Sequence, residues 1–188
     1  MKRLFVAIKV SPDQAFLSQY SAFKRQLSGS RITWVEPTVM HMTLKFLGKT
    51  EDHQIPVISN VLDHVAKQQV SFPFSLDHLG IFGSSYQPRV VWLGASNPLQ
   101  MATFGEDILN SLHHVGFLRD RQNFVPHLSL GRIKQLDNKK YFQEVMDLFR
   151  CKMGLSFVVD EFALYQSILQ SSGPKYHQIS RFKLKTII

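Results

Sequence analysis

The sequence is poor in cysteine and lacks any long hydrophobic run. Cys151 is the only cysteine in 188 residues, which excludes an intramolecular disulfide and a cysteine-based zinc site. No apolar stretch approaches the roughly 20 residues that a transmembrane helix needs. The opening MKRLFVAIKV lacks the apolar length and the cleavage site of a signal peptide. We therefore expect a cytoplasmic globular protein with no membrane association.

Glycine-rich phosphate motifs are also missing. Neither a G-x-G-x-x-G stretch nor a P-loop occurs in the sequence, so nothing indicates a nucleotide cofactor. The adjacent His113 and His114 lack the clustered ligands that a zinc site requires, and we expect no metal. No linker or low-complexity segment divides the chain. Residues 1–188 are therefore predicted to form a single domain, and we expect a monomer.

Acidic side chains are in the minority. The chain carries 22 lysines and arginines against 14 aspartates and glutamates, a formal net charge of +8. Such an excess favours anionic partners such as nucleic acid, nucleotides or a membrane surface. Because the basic residues are scattered along the chain, a surface charge that only maintains solubility is an equal alternative.

Helical and strand patterns interleave along the chain, and several strand pairs resemble hairpins. This combination favours an α+β fold with antiparallel sheets over a doubly wound parallel sheet. Ser11 is the expected N-cap of the first helix, and Ser171-Ser172-Gly173-Pro174 is a predicted turn. The predicted helices cover residues 12–27, 50–69, 98–116 and 137–149, and the predicted strands cover 2–10, 31–35, 41–47, 71–79, 89–93, 127–133, 156–168 and 176–184.

One tetrad, histidine–apolar–hydroxyl–leucine, occurs twice. HMTL begins at His41 and HLSL begins at His127, nearly half the chain apart, and both lie in predicted strands. Alternate side chains on a strand share a face, so each histidine lies beside its own hydroxyl, Thr43 or Ser129. The repeat predicts two similar halves, each contributing one strand to a shared cleft.

Two imidazoles facing each other across a cleft suit the hydrolysis of a cyclic phosphodiester. One deprotonates water and the other protonates the leaving oxygen near neutral pH. In-line displacement needs these groups on opposite sides of phosphorus, as two separate strands allow. The hydroxyls of Thr43 and Ser129 are positioned to donate hydrogen bonds to the other phosphate oxygens.

Two cations near the tetrads are candidates for neutralising phosphate charge. On an ideal strand Lys45 lies on the face of His41, whereas Arg132 lies on the face opposite His127. Arg132 reaches the site only if its strand bulges or ends near Gly131. We predict that Arg132 binds phosphate, with a solvated charge at a strand end as the alternative.

The paired tetrads resemble those of the 2H phosphoesterase superfamily. The similarity is greatest to its LigT-like RNA 2′,3′-cyclic phosphodiesterases, originally named 2′-5′ RNA ligases. RLFVAIKV, HMTLKFLG, RVVWLG, PHLSLGR and EFALYQSILQSSGPKYH resemble the family's opening strand, first motif, central strand, second motif and closing hairpin. The second motif carries Ser129 where many members have threonine, which keeps the hydroxyl.

The resemblance implies a fold and an activity. The fold is bilobal α+β, with two pseudo-symmetric antiparallel-sheet lobes, helices outside and a central cleft without metal. The activity is the opening of RNA 2′,3′-cyclic phosphates to 2′-phosphates, with 2′-5′ ligation reported for some members. By the family pattern His41 is the proton donor and His127 the proton acceptor. A 2′,5′-oligonucleotide phosphodiesterase, an RNA exonuclease and a non-catalytic RNA-binding module remain alternatives.

The remaining histidines have no such pattern and are expected to be structural or exposed. Trp34 and Trp92 are expected in the core. An aromatic residue near the cleft, Phe5 or Tyr165, is a candidate for stacking on a terminal base.

Overall fold

The structure is a computed structural model that describes residues 1–119, 124–150, 152–170 and 173–186. Its α-helices are α1 (Gln14–Gln26), α2 (Ile55–Gln68), α3 (Leu99–His114) and α4 (Lys139–Phe149). Its strands are β1 (Lys2–Lys9), β2 (Arg31–Trp34), β3 (His41–Thr50), β4 (Phe72–Leu76), β5 (His78–Gly83), β6 (Pro88–Gly94), β7 (His127–Gln135), β8 (Leu155–Val159), β9 (Glu161–Gln170) and β10 (Gly173–Lys183). Among the described residues, no helix combines the length and the apolar character needed to cross a membrane.

Two antiparallel sheets of four strands form the two lobes. The first sheet has the order β10-β9-β1-β3 and the second has the order β2-β7-β6-β5, and β4 pairs with β8 in a small third sheet. In the first sheet β3 pairs with β1, and in the second β7 pairs with β6, so the two tetrads occupy equivalent strands. β3 and β7 contact each other between the sheets. The α+β, bilobal prediction is confirmed.

Each tetrad strand buries its apolar residues on the side opposite the histidine. Met42 and Leu44 of β3, and Leu128 and Leu130 of β7, are at most 3% exposed. They belong to one core that also contains apolar residues of all four helices. Burial of a leucine-sized side chain is worth about 1.5–3 kcal/mol, so this core fixes which face of each strand the histidine occupies.

The first helix begins later than predicted. The N-cap is Asp13, whose carboxylate accepts a hydrogen bond from the Phe16 amide at 2.8 Å, so the expectation for Ser11 is wrong. A carboxylate at this position satisfies a free amide and also interacts favourably with the helix dipole, which a serine hydroxyl does more weakly.

Two predicted strands are each divided at an aspartate. The segment 71–79 is split at Asp77 between β4 and β5, and the segment 156–168 is split at Asp160 between β8 and β9. At each break the chain changes partner: β4 pairs with β8, whereas β5 pairs with β6 and β9 with β1 and β10. Cys151 and residues 171–172 of the predicted turn lie outside the described residues.

Candidate active site

The two tetrad histidines are held in the same way. His41 and His127 are the first residues of β3 and β7 and are half-buried. The Nδ1 of His41 lies 2.8 Å from the carbonyl oxygen of Val39, and the Nδ1 of His127 lies 2.7 Å from that of Val125. Because a carbonyl oxygen only accepts, each Nδ1 carries the proton and donates it. The Nε2 atom of each ring is therefore the one available for proton transfer.

Burial lowers the pKa of both histidines. For His41 the loss of hydration is the main cause, the hydrogen bond to Val39 opposes it, and the charge of His127 lowers the pKa further. For His127 burial again dominates over the hydrogen bond to Val125. The rings are thus close enough for one charge to disfavour the other. This coupling favours one protonated and one neutral imidazole, the combination that acid–base catalysis needs.

The tetrad hydroxyls lie beside the rings. Thr43 and Ser129 are two positions beyond their histidines and are half-buried on the same strand faces. Within the described part of the chain, neither hydroxyl forms a hydrogen bond to another residue. Both are therefore free to donate to a bound anion.

A bulge in β3 removes Lys45 from this face. Thr43 pairs with Ala7 of β1, and Lys45 pairs with Val6, the next residue of β1. Leu44 is therefore an extra residue in β3 without a partner of its own. The alternation of side chains therefore shifts by one position after Leu44. Lys45 is 4% exposed and its Nζ donates to the carbonyl of Leu118 at 2.8 Å. The prediction that Lys45 shares the face of His41 is wrong.

The equivalent bulge in β7 moves Arg132 to the face of Ser129. Ser129 pairs with Trp92 and Gly131 pairs with Val91, which leaves Leu130 as the extra residue. Arg132 is exposed and lies near Tyr176 of the first sheet, whose pKa its charge lowers against the larger effect of burial. The bulge that Arg132 needs to reach the site is therefore present.

A buried tyrosine supports this bulge. The Tyr20 hydroxyl of α1 lies 2.7 Å from the carbonyl oxygen of Leu130 and 2.9 Å from that of Val35. The amide of Val35 also donates to the Leu130 carbonyl, at 2.9 Å. Two donors thus hold the carbonyl of the extra residue, and burial strongly raises the pKa of Tyr20, which keeps the hydroxyl protonated.

A cavity of about 240 Å³ lies beside His41. Its aromatic wall is formed by Phe5, Tyr165 and Tyr176, and its polar rim includes Lys9 and Gln178. Measured between ring centroids, Phe5 lies 5.2 Å from His41 and stacks on Tyr165 at 5.3 Å. Tyr176 meets the His41 ring edge-on, with the centroids 4.9 Å apart. Phe5 is only 2% exposed, so the more exposed tyrosines are better placed to contact a ligand.

The other histidine also has aromatic neighbours. Phe82 meets the His127 ring edge-on at 4.7 Å, and Trp92 lies 6.2 Å from it. Trp92 is half-buried on the face of Ser129, so the expectation that it belongs to the core is wrong. Trp34 does pack against the core, as predicted.

This site geometry accompanies clear similarity to known proteins. The family model for LigT-like phosphoesterases matches residues 8–92. A Thermotoga maritima protein named RNA 2′,3′-cyclic phosphodiesterase is 33% identical over 93% of this chain and 91% of its own length. An Archaeoglobus fulgidus protein of the same name is 34% identical over 96% of this chain and 99% of its own.

The chain belongs to the LigT-like phosphoesterase family. The crystal structure of TT0787 from Thermus thermophilus superimposes with a TM-score of 0.75, at 25% identity and 98% coverage of both chains. This LigT-like fold brings together the strands that carry His41, Thr43, His127, Ser129 and Arg132.

Two features of this LigT-like site were missed by sequence reasoning. Tyr176, which contacts His41, lies on β10, and nothing in its local sequence indicates that the closing hairpin folds back to the first motif. Tyr20 has the spacing of an ordinary apolar helix position, so its hydroxyl contacts were not foreseeable. Among the described residues, no three histidine, cysteine, aspartate or glutamate side chains form a group able to hold a metal ion.

Proposed function

We propose that this protein hydrolyses RNA 2′,3′-cyclic phosphate ends to 2′-phosphates, with His41 and His127 as the acid–base pair. The observation that carries the proposal is the pair of equivalent imidazoles, each with Nδ1 donating to a backbone carbonyl and Nε2 available. The family membership supports the same activity, because the relatives are named RNA 2′,3′-cyclic phosphodiesterases.

In the proposed reaction water attacks phosphorus opposite the 3′ oxygen. The Nε2 of His127 takes a proton from the water as the new P–O bond forms. The bond between phosphorus and O3′ breaks, and the Nε2 of His41 gives its proton to O3′. The phosphate remains on O2′, and the next cycle needs one proton to pass from His127 back to His41 through solvent.

The position of the cavity supports His41 as the acid. The leaving O3′ stays on the ribose of the terminal nucleoside, so that nucleoside lies on the side of the acid. The cavity beside His41 has an aromatic wall that suits a nucleobase. We propose that the base enters this cavity and contacts Tyr165 or Tyr176.

The phosphate oxygens have three proposed donors. The free hydroxyls of Thr43 and Ser129 lie on the faces of the two histidines, and Arg132 lies on the face of Ser129. Fixed donors aimed at developing charge stabilise a transition state strongly in a partly dehydrated site. A bound phosphate anion also favours the protonated form of a nearby imidazole, which restores the proton that burial disfavours on His41.

The test is an oligoribonucleotide that ends in a 2′,3′-cyclic phosphate. We expect a product with the phosphate on O2′, and we expect His41→Ala or His127→Ala to lower turnover by about 10²–10⁴-fold. His177→Ala is the matched control, because His177 is an exposed strand histidine on β10 and its loss is expected to leave turnover intact.

Several outcomes contradict this proposal. Full activity in either catalytic variant excludes the acid–base assignment. A loss of activity counts in its favour only when the variant melts as the parent protein does. A product with the phosphate on O3′ means that O2′ is the leaving oxygen, which contradicts the proposed direction of attack. Loss of activity in EDTA points to metal chemistry instead. Binding of the oligonucleotide without turnover, unaffected by loss of both histidines, indicates an RNA-binding module.

A further inference from the structure

Basic residues continue beyond Arg132 on the face of the second sheet that carries His127 and Ser129, here called the cleft face. Arg132 pairs with Thr33 on β2, and two positions away Arg31 pairs with Gln135. Paired residues of antiparallel strands share a face, as do residues two positions apart on one strand. Arg31 therefore lies on the same face as Arg132 and Ser129.

The opposite face of β2 confirms this orientation. A Cβ atom built on Gly131 approaches the Trp34 ring within 2.7 Å and the Ile32 side chain within 2.9 Å. Ile32 and Trp34 both pack against the core, whereas Arg31 and Thr33 are exposed. The arginines therefore face the cleft rather than the helices.

The cations on this stretch have no acidic partner among the residues that the structure describes. Arg31, Arg132 and Lys134 are exposed, and none of them forms a salt bridge with another described residue. Lys134 is the extra residue where the register of β7 shifts against β2. We call these three residues the basic track. Exposed cations without partners attract phosphates at little cost in competing interactions.

The basic track starts at the reaction centre. Arg132 lies near enough to Tyr176 for its charge to lower the pKa of that tyrosine against the larger effect of burial, and the centroid of the Tyr176 ring lies 4.9 Å from that of the His41 ring. From Arg132 the strand continues to Gln135, a distance of about 10 Å at 3.3 Å per residue. That length covers more than one phosphate spacing of a nucleic-acid strand.

The first sheet is different at the equivalent place. Phe46 lies as many residues after His41 as Arg132 lies after His127, and each strand has a bulge in between. Phe46 is 64% exposed. Two cations, Arg3 and Lys49, pair with each other further along this sheet. An apolar ring thus separates them from the tetrad, whereas the basic track is continuous with it.

We propose that the basic track binds the sugar–phosphate backbone of the RNA on the 5′ side of the terminal cyclic phosphate. The inference rests on the proposed function and adds to it the path of the RNA body. Contacts of this kind strengthen binding and fix its register without reading the base sequence. The enzyme therefore prefers an oligonucleotide to a mononucleotide with the same reactive end.

The test compares two substrates in two variants. The substrates are a nucleoside 2′,3′-cyclic monophosphate and an oligoribonucleotide that ends in the same cyclic nucleotide. In Arg31→Gln/Lys134→Gln we expect the ratio of kcat/KM for the oligonucleotide to that for the mononucleotide to fall severalfold. The slope of log(kcat/KM) against log salt for the oligonucleotide is expected to flatten by about 1.4, because about two phosphate contacts are lost. The control is Arg3→Gln/Lys49→Gln, which is expected to leave the substrate ratio and the salt slope unchanged.

The possible results separate this inference from the proposed function. An unchanged substrate ratio in Arg31→Gln/Lys134→Gln overturns the basic track, and so does an equal loss on both substrates. A loss confined to Arg3→Gln/Lys49→Gln places the RNA on the first sheet instead. If the parent protein turns over neither substrate, the proposed function itself is wrong.

Discussion

At the scale of single residues, the site consists of ordinary side chains given unusual properties by their positions. His41 and His127 have their Nδ1 atoms fixed by carbonyls two residues earlier in the chain, so their rings differ from solvated histidines in both tautomer and pKa. The backbone supplies both anchors, and no carboxylate is needed to orient either ring. In the proposed mechanism the remaining polar contacts to the phosphate come from two hydroxyls and one arginine.

The lowered pKa values predict an acidic pH optimum. The proposed mechanism requires one imidazole protonated and one neutral, and kcat/KM reports the free enzyme. Because burial moves both pKa values below the usual 6.5, we expect a bell-shaped profile of kcat/KM with its maximum below pH 6.5. The measurement is kcat/KM for a nucleoside 2′,3′-cyclic monophosphate across pH 4.5–9 at constant ionic strength. A maximum above pH 7 contradicts the role of burial.

At the scale of elements, bulges decide which side chains reach the cleft. The alternation of an ideal strand correctly predicted the pairs His41–Thr43 and His127–Ser129, because no irregularity lies between their members. Beyond the hydroxyls that alternation fails in both strands, so Lys45 turns inward. A bulge depends on the partner strand and on hydrogen bonds from distant residues, and neither is visible in a local pattern.

The same reasoning explains other differences between sequence and structure. Core burial was predictable for the apolar helix stripes, since periodicity alone specifies the buried face. Trp92 was misplaced because β6 presents both faces to protein, one to the core and one to His127. Tyr176 reaches the site through the order of strands in the sheet, which a linear sequence does not display.

The contacts of Tyr20 predict that a residue of α1 influences Arg132. Tyr20→Phe removes the hydroxyl from the carbonyls of Leu130 and Val35, and we expect a loss of about 1–3 kcal/mol in unfolding free energy. We also expect a lower kcat/KM, because the bulge that aims Arg132 is less well held. In an Arg132→Ala background, the same substitution is expected to lower kcat/KM no further.

The matched control for this cycle is Tyr141→Phe. The Tyr141 hydroxyl donates to Gln26 at an exposed position, at 2.6 Å, so its removal is expected to change neither stability nor kcat/KM appreciably. If Tyr20→Phe lowers kcat/KM equally with and without Arg132, the tyrosine acts on the fold in general and not on the arginine.

At the scale of the whole molecule, the two halves are similar in plan and different in use. Both carry a tetrad, a bulge and an aromatic neighbour, but the first sheet adds β9 and β10 beside the cavity, whereas the second adds β2 beside Arg132. In the proposed function the first sheet thus provides room for a nucleoside and the second provides positive charge. One core contains residues of both sheets, and we therefore propose that the chain unfolds as a single domain.

If the chain unfolds in one transition, as proposed, the titration of the two histidines contributes to the pH dependence of its stability. In the unfolded chain an imidazole titrates near pH 6.5, whereas in the folded protein burial lowers the pKa of His41 and His127. Between the folded and unfolded values the unfolded chain binds more protons, so stability falls as the pH decreases below 6.5. Well above pH 6.5 both states are neutral at these positions and the effect vanishes.

The expected slope is at most about 1.4 kcal/mol per pH unit for each histidine. We expect His41→Gln/His127→Gln to flatten the decline of unfolding free energy between pH 6.5 and pH 5, measured by urea denaturation at fixed salt. His177→Gln provides the comparison, because this histidine is exposed on β10 and its removal is expected to leave the slope as it is. An unchanged slope in the double variant means that the cleft is hydrated enough to accept two imidazolium ions. In that case the acidic optimum no longer follows from burial, and the preference for a singly protonated pair no longer follows from the coupling of the two rings.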